Sequence, residues 1–346
     1  MEQDTINIGL IGAGGNVKLR HIPGFQAIDG VNVTAVSNRS IASGKRIADE
    51  FGVQNVYGSW IEIMEDPEID AICIGTWPYM HCPLTLTGLE YGKHVMTEAR
   101  MAMDAAEAHT MLEASRQYPG QVTQIVPAPH TLNLDKTIKK LINDGYLGEI
   151  LSVDASITQG GFADKDKLFH WRQNRDYSGF NIMGLGIWYE AIMRWVGPAS
   201  SVQALTKVIV PSRMDENGNR NIISVPDHVD ILCETFSGPL LHIKFSDVLG
   251  HAPDNEVWIY GTEGTLKIDG SNFRLYGGQK SDSGLKEIDI HPDFAGGWRV
   301  EEEFISAIRG NEEITHTSFE DGVRYMEFTE AVTRSSQSGE KISLPS

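Results

Sequence analysis

The chain has 346 residues, of which 41% are hydrophobic, 22% charged and 8% aromatic. This length favours two domains with enough buried surface to need no disulfide or metal support. With 29 basic against 47 acidic side chains, the net charge of −18 disfavours binding to nucleic acid or to anionic membranes. The sequence starts with acidic residues unlike a signal peptide, and it has no apolar run of membrane length. Its three cysteines lie outside any CxxC pair. These features predict a cytoplasmic protein.

The first third of the chain alternates short apolar runs with segments of helix length. Strands are predicted at 6–11, 31–36, 71–75, 94–96 and 122–126. Helices are predicted at 41–51, 83–91, 105–117 and 134–143, with Asp104 as an N-cap. Apolar strands that alternate with helices predict a parallel sheet covered on both faces.

After residue 149 strand candidates follow one another, at 151–158, 202–210, 229–236, 240–245, 256–260 and 265–268. Turns separate them and one helix, near 182–195, interrupts them, which predicts a mostly antiparallel sheet. Two further helices are predicted at 300–309 and 319–337. The predicted fold class is α/β, with a dinucleotide-binding domain at 1–126 and a second α/β domain at 127–346. The C-terminal helices are free to pack back on the first domain.

A glycine-rich turn follows the first strand and opens a helical segment. It contains Gly12, Gly14, Gly15 and Asn16, and the position of a third motif glycine is taken by Val17. Such glycines allow a tight turn whose backbone N–H groups hold a pyrophosphate at a helix N-terminus. The sequence therefore predicts a dinucleotide site here, with an ordinary strand-to-helix turn as the alternative.

The end of the second strand indicates which dinucleotide is bound. An acidic residue here binds the 2′-hydroxyl of NAD(H), but this chain has Asn38, Arg39 and Ser40. A guanidinium beside a hydroxyl suits a 2′-phosphate. NADP(H) is therefore slightly favoured over NAD(H), with an exposed Arg39 and NAD(H) as the alternative.

These motifs, together with short segments throughout the chain, carry a family resemblance. The segments are 9–15, 21–23, 47–52, 70–76, 91–95, 145–149, 260–266 and 319–322. Because these segments occur in this order along the chain, the chain resembles the Gfo/Idh/MocA family, named for glucose-fructose oxidoreductase, inositol dehydrogenase and rhizopine catabolism. The resemblance implies a Rossmann domain and an α/β domain with a large open-faced sheet, which commonly forms subunit contacts in a homodimer or homotetramer. It also implies a nicotinamide cofactor and a carbohydrate-like small-molecule substrate.

The positions of the family's catalytic groups differ in this chain. The family's Glu-Lys-Pro stretch is Glu98, Ala99 and Arg100 here, and its Asp and His positions are Gly184 and Trp188. By resemblance, Glu98 lies beneath the nicotinamide ribose. The resemblance also assigns cofactor contacts to the loop after the fourth strand, at Thr76 and Trp77.

Other residues are candidates for the missing proton carrier. His130 follows the sixth strand, at the edge where open α/β sheets bind ligands, and ranks above His170. Both histidines have a structural or surface role as the alternative. Arg100 stays protonated, so it orients an anionic substrate or polarises a carbonyl group rather than acting as a base. Candidate substrate contacts come from Arg172, Trp188 and Tyr177.

The leading hypothesis is an NAD(P)-dependent oxidoreductase that acts on the CH–OH group of a sugar, a polyol or a sugar derivative. One alternative is a lyase, epimerase or glycosidase that oxidises its substrate transiently and keeps its cofactor. Another is a non-catalytic nucleotide-binding protein, because the usual lysine, aspartate and histidine are missing. Without HxxxH, HExxH or clustered Cys/His spacing, no metal site is expected.

Overall fold

The computed structural model describes residues 5–158 and 161–345 and divides into two compact units. The first unit runs through Pro127 and includes Arg299–Val323; the second combines Ala128–Trp298 with the chain from Arg324 onward. Residues 299–323, which lie in the predicted C-terminal domain, are therefore part of the first unit. Over the described ranges, no helix is both long and apolar enough to cross a membrane.

The first unit contains a six-stranded parallel sheet in the order β3-β2-β1-β4-β5-β6. Its strands are β1 (Ile6–Ile11), β2 (Val31–Ser37), β3 (Asn55–Tyr57), β4 (Ala71–Ile74), β5 (His94–Thr97) and β6 (Thr123–Ile125). The strand order reverses between β1 and β4, and ligands bind at such a switch point in open α/β sheets. The predicted parallel sheet is confirmed.

Helices connect these strands and continue through the second unit. They are α1 (Ile22–Gln26), α2 (Ile41–Phe51), α3 (Trp60–Glu65), α4 (His81–Glu90), α5 (Ala105–Gln117), α6 (Leu132–Asn143), α7 (Arg175–Ser178), α8 (Leu185–Val196), α9 (Val300–Ile308) and α10 (Phe319–Ser338). A π-helical turn, Val17–His21, precedes α1. The predicted N-cap of α5 is confirmed, because the Asp104 carboxylate accepts a hydrogen bond from the backbone N–H of Glu107.

A nine-stranded sheet forms the second unit, in the order β16-β15-β14-β13-β7-β12-β11-β8-β17. Its bounds, with those of the separate hairpin β9–β10, are β7 (Ile150–Thr158), β8 (Ala199–Lys207), β9 (Ser212–Met214), β10 (Arg220–Ile222), β11 (His228–Thr235), β12 (Leu240–Ser246), β13 (Glu256–Gly261), β14 (Gly264–Asp269), β15 (Arg274–Gln279), β16 (Lys286–Glu287) and β17 (Ile342–Ser343). Strands β7 and β12 pair in parallel and the other neighbours are antiparallel. The prediction of a mostly antiparallel sheet is confirmed.

The two faces of this sheet differ because side chains alternate along a strand. On one face Ile243 and Phe245 are buried, and the Phe245 ring lies against Gly184 at the start of α8. On the other face Leu205, Leu232 and Leu240 are 75%, 58% and 56% exposed. The second unit therefore carries an open apolar patch, defined by these three leucines.

Candidate functional site

The glycine-rich turn after β1 is fixed by its own backbone and by the end of β2. Gly12 has a φ of +84°, a conformation that side chains rarely adopt. Its N–H donates to the carbonyl oxygen of Ser37 over 2.9 Å. The amide oxygen of Asn38 accepts a hydrogen bond from the N–H of Ala13 over 2.7 Å, and its Nδ2 donates to Ser43. Asn38 thus holds the turn in place.

Close packing between this turn and β4 depends on a glycine outside the motif. Val17 is buried at the third motif position, and Gly75, which follows β4, supplies the space for it. A Cβ atom on Gly75 would lie 2.2 Å from the carbonyl oxygen of Gly12 and 2.3 Å from a methyl group of Val17. The departure at Val17 is therefore compatible with close packing between helix and strand.

A cleft of about 540 Å³ opens at the carboxyl ends of β1, β2 and β4. Its lining includes seven of the predicted cofactor residues: Gly12, Gly14, Asn38, Arg39, Ser40, Thr76 and Trp77. Gly15 and Asn16 directly follow Gly14 at the start of the helical segment. The hydroxyl oxygen of Thr76 is shielded from solvent and has no hydrogen-bond partner among the described residues. A buried orphan oxygen in such a cleft fits a site that a polar ligand completes.

Near Asn38 the cleft carries two cations. Arg39 and Arg46 both line it and are exposed, and neither guanidinium forms an ion pair with any residue that the structure describes. The hydroxyl of Ser40 caps α2 by accepting from the N–H of Ser43 over 3.3 Å. Ser43 and Arg46 were not predicted from the sequence, although their spacing of three residues makes them neighbours on the surface of α2.

Glu98 belongs to a buried network at the end of β5. Its Oε1 accepts hydrogen bonds from Asn16 Nδ2 over 2.6 Å and from His21 Nε2 over 3.0 Å. The other ring nitrogen of His21, Nδ1, bonds to Glu301 Oε1. Burial lowers the pKa of His21, but hydrogen bonds and charge attraction from Glu301 and Glu98 outweigh burial and raise it to about 9. Burial conversely raises the pKa of Glu98, and its bonds to His21 and Asn16 lower it overall.

The loops after β4 and β5 are connected through His81. Its Nδ1 lies 2.9 Å from the carbonyl oxygen of Arg100, and its Nε2 lies 3.0 Å from that of Thr76. The Arg100 side chain is only 3% exposed, and the peptide bond from Ala99 to Arg100 is cis. His81 therefore joins these two loops through its ring nitrogens and fixes the loop that carries Thr76.

In the second unit, two of the predicted residues lie together in an aromatic cluster. The His130 imidazole stacks on Trp188, with ring centroids 5.2 Å apart, and on Phe273 at 5.5 Å. Trp188 is 4% exposed, and Phe273 has the unusual φ of +52° for a phenylalanine. The structure thus brings His130 and Trp188 together, although a buried Trp188 offers little free surface for stacking on a substrate. Phe273 was missed because its contact with His130 depends on the sheet.

The remaining predicted residues lie around a short turn. His170 caps a 3₁₀ turn, and its Nδ1 accepts from the N–H of Arg172 over 3.3 Å. Burial and the Arg172 cation lower the pKa of His170. The Arg172 guanidinium lies 4.3 Å from the centre of the Trp171 ring, and Tyr177, in α7, is 36% exposed. His170 and Arg172 are therefore neighbours, and part of the hydrogen-bonding capacity of His170 serves the local backbone.

Comparison with known proteins gives family matches in both units. A model described as an oxidoreductase family with an NAD-binding Rossmann fold matches residues 6–125, and a GFO/IDH/MocA C-terminal domain model matches residues 136–267. Levoglucosan dehydrogenase of Pseudarthrobacter phenanthrenivorans is 25% identical and covers 76% of this chain and 73% of its own length. The dTDP-3,4-didehydro-2,6-dideoxy-α-D-glucose 3-reductase of Streptomyces antibioticus is 26% identical, with 78% of this chain and 77% of its own length covered.

Solved structures share the fold over almost the whole chain. An oxidoreductase domain protein from Kribbella flavida superposes with a TM-score of 0.88 at 21% identity, covering 99% of this chain and 100% of its own. Levoglucosan dehydrogenase in complex with NADH and L-sorbose gives a TM-score of 0.86 at 22% identity, with 99% of each chain covered. At these identities the likeness shows the fold alone.

Proposed function

Because the chain belongs to the GFO/IDH/MocA family of oxidoreductases with an NAD-binding Rossmann fold, we propose that it is a nicotinamide-dependent dehydrogenase or reductase. It transfers hydride between the nicotinamide and a CH–OH carbon of a sugar, a polyol or a sugar derivative. The observation that carries this proposal is the cleft at the switch point of the parallel sheet, with Gly12 at its glycine-rich turn. The cofactor supplies the hydride acceptor or donor when bound.

Residues of the first unit fit the dinucleotide. Backbone N–H groups around Gly14, Gly15 and Asn16 lie at a helix start, where the helix dipole favours a pyrophosphate. This local device overcomes the repulsion that the negatively charged chain exerts on phosphate. The orphan hydroxyl of Thr76 and the neighbouring Trp77 also line the cleft. The proposed cofactor contacts are these residues with Gly12, Asn38, Arg39, Ser40 and Glu98.

NADP(H) is proposed over NAD(H) on the strength of two guanidinium groups. Arg39 and Arg46 line the cleft beside Ser40, and a 2′-phosphate would pair with both cations. We expect Arg39→Ala and Arg46→Ala each to weaken NADP⁺ binding about tenfold while leaving NAD⁺ binding within about twofold. Calorimetry measures both affinities, and Lys45→Ala, at an exposed neighbouring cation, is the matched control. Equal losses for the two coenzymes would contradict the assignment.

The substrate class rests on the relatives. The names of levoglucosan dehydrogenase and of the dTDP-sugar 3-reductase both describe chemistry on sugars. On this chain, His130 is the first candidate for proton transfer and His170 the second, with Arg100 as a cation for an anionic substrate or a carbonyl group. Substrate contacts are proposed for Arg172, Trp188 and Tyr177.

A second candidate function is supported by the substituted catalytic positions. Ala99, Gly184 and Trp188 carry no group that transfers a proton near neutral pH. Two outcomes follow from this: a lyase, epimerase or glycosidase with transient oxidation and a retained cofactor, or a nucleotide-binding protein without turnover.

One set of experiments separates these functions. Calorimetry with NAD(H) and NADP(H) tests cofactor binding, and failure to bind any of them would refute all three functions. Incubation with a panel of sugars and polyols then follows nicotinamide absorbance and product formation. Net absorbance change supports the dehydrogenase, product without net change supports transient oxidation, and neither supports binding alone.

We also propose a homodimer or homotetramer that forms through the open face of the second unit. The exposed Leu205, Leu232 and Leu240 favour association, because burying apolar side chains away from water lowers the free energy. A reducing, cytoplasmic setting is supported by Cys73, Cys82 and Cys233, which are buried free thiols.

A further inference from the structure

The two oxygens of the Glu98 carboxylate have different surroundings. Oε1 accepts hydrogen bonds from both Asn16 and His21. Oε2 accepts none from the residues that the structure describes, and the side chain keeps 15% of its surface exposed. One oxygen is therefore committed to the protein, and the other is available to a ligand.

The π-helical turn brings the two donors to Glu98. In a π-helix the hydrogen bonds join residues five apart, as the N–H of Ile22 does with the carbonyl oxygen of Val17. Asn16 and His21 are also five residues apart, and Asn16 Nδ2 lies 3.3 Å from His21 Nε2. This wider turn allows both side chains to reach the same carboxylate oxygen.

Glu301, on α9, holds His21 from the other side. Its carboxylate bonds to His21 Nδ1, and both side chains are almost fully buried. The carboxylate lies against Gly24 in α1, where a Cβ atom would meet the Glu301 side chain at 2.8 Å. The absence of a side chain at Gly24 thus makes the space that Glu301 occupies, an observation independent of the hydrogen bonds.

From this geometry we infer that His21 and Glu301 are positioning residues that hold Glu98 as a fixed carboxylate, with Oε2 free to accept a hydroxyl of the nicotinamide-side ribose. The inference rests on the proposed function. The bond from His21 holds the pKa of the Glu98 carboxyl below its usual range, so Glu98 stays ionised.

Removal of His21 leaves two buried carboxylates with no cation between them. Glu98 then keeps only Asn16 as a donor to Oε1, so its carboxylate is held less firmly with Oε2 toward a ribose hydroxyl. Glu301→Gln acts in the same direction by removing the partner that orients and charges His21. The other titratable groups close to this network are Cys73 and His81, both fully buried.

The test compares His21→Gln and Glu301→Gln with the wild-type protein. We expect each variant to bind the oxidised dinucleotide about tenfold more weakly, as expected for loss of a charge-assisted hydrogen bond. Binding of 2′,5′-ADP, which lacks the nicotinamide and its ribose, stays within about twofold. Glu302→Gln, at the exposed next position of α9, is the matched control. Glu98→Gln combined with His21→Gln loses no more affinity than either substitution alone, because the two residues act as one unit.

Two outcomes of this comparison and one further measurement separate the possible failures. If the wild-type protein binds neither the dinucleotide nor 2′,5′-ADP, the proposed function fails. If the dinucleotide binds the variants as tightly as the wild type, or if 2′,5′-ADP loses as much affinity, the positioning role is wrong. The third readout needs no cofactor: the NMR signals of the His21 ring report a charged imidazole through neutral pH and titrate near pH 9. Titration near the ordinary value of 6.5 would overturn the inference even if a variant did not fold.

Discussion

Gly75→Ala is the sharpest test of how the dinucleotide turn is built. The added Cβ would lie 2.2 Å from the Gly12 carbonyl oxygen and 2.3 Å from a Val17 methyl group, whereas real Cβ contacts below 3.0 Å are essentially never seen. The Gly12 carbonyl group is part of the backbone, and the N–H of the same residue is bonded to the carbonyl oxygen of Ser37. The Gly12 carbonyl oxygen can therefore move away from the added Cβ only if the whole turn moves. Overpacking of this kind costs about 1–3 kcal/mol, and we expect about 3 kcal/mol because one clash is with backbone.

The free energy of unfolding of the first unit, measured by denaturant with and without dinucleotide, checks this value. We also expect cofactor affinity to fall at least about tenfold, because the displaced turn carries the proposed pyrophosphate site. Gly120→Ala, at a position with nothing within 4 Å of the added atom, should change stability by less than about 0.5 kcal/mol. Val17→Ala in the Gly75→Ala background should recover only part of the loss, since the contact with Gly12 persists. A Gly75→Ala protein as stable and as tightly binding as the wild type would refute the reasoning.

Three further perturbations test the network, the cofactor preference and the open face. His21 is fully buried, and the rise of its pKa from 6.5 to about 9 contributes stability that is present below pH 6.5 and lost as the pH rises through 9. This amounts to about 3 kcal/mol, so the wild-type free energy of unfolding should fall between about pH 6.5 and pH 9 and that of His21→Gln should not. Asn38→Asp should shift the ratio of NADP⁺ to NAD⁺ dissociation constants about tenfold toward NAD⁺, because a carboxylate binds a 2′-hydroxyl and repels a 2′-phosphate; an unchanged ratio would contradict this. Leu232→Glu should reduce the mass measured by light scattering to that of a smaller assembly, whereas Glu234→Gln should not, and an unchanged mass in both would argue against the open face.

The alternation of apolar strands with helices was sufficient to predict the parallel sheet and its main elements. The spacing of apolar residues within each segment is enough to distinguish a strand from a helix, without knowledge of the rest of the chain. Strand β3 and helix α3 were missed because elements of three and six residues are too short to show a period. Strand β15 was also missed, as were the edge strands β16 and β17, which have only two residues each. The sequence predicted whether each sheet is parallel or mostly antiparallel, but not the order of its strands. Strand order and register depend on partners that are distant in the chain.

The glycine-rich turn could be predicted because all its residues are contiguous in sequence. Its support by Gly75 could not, because Val17 and Gly75 come from different strand-to-helix units and meet only in the folded sheet. The partnership of His21 with Glu301 spans 280 residues and joins the first helical segment to α9. Rules based on residue spacing apply to neighbours a few positions apart, so they could not predict this pair. Sequence motifs therefore predict where a ligand could bind, and the fold determines which side chains surround that place.

Two positions that differ from the family's usual catalytic groups, Gly184 and Trp188, are packed against neighbouring aromatic side chains. Gly184 lies against Phe245, whose ring atoms would be 3.3 Å and 3.4 Å from an added Cβ, so an aspartate there needs the buried ring to shift by a few tenths of an ångström. Trp188 fills the space beside His130 and Phe273, and a smaller histidine in its place leaves a cavity in this cluster. Restoring the family's usual pair would thus disrupt two aromatic contacts at once. Glu98, His21 and Glu301 are residues of the first unit, so these substitutions leave the side chains of that network unchanged.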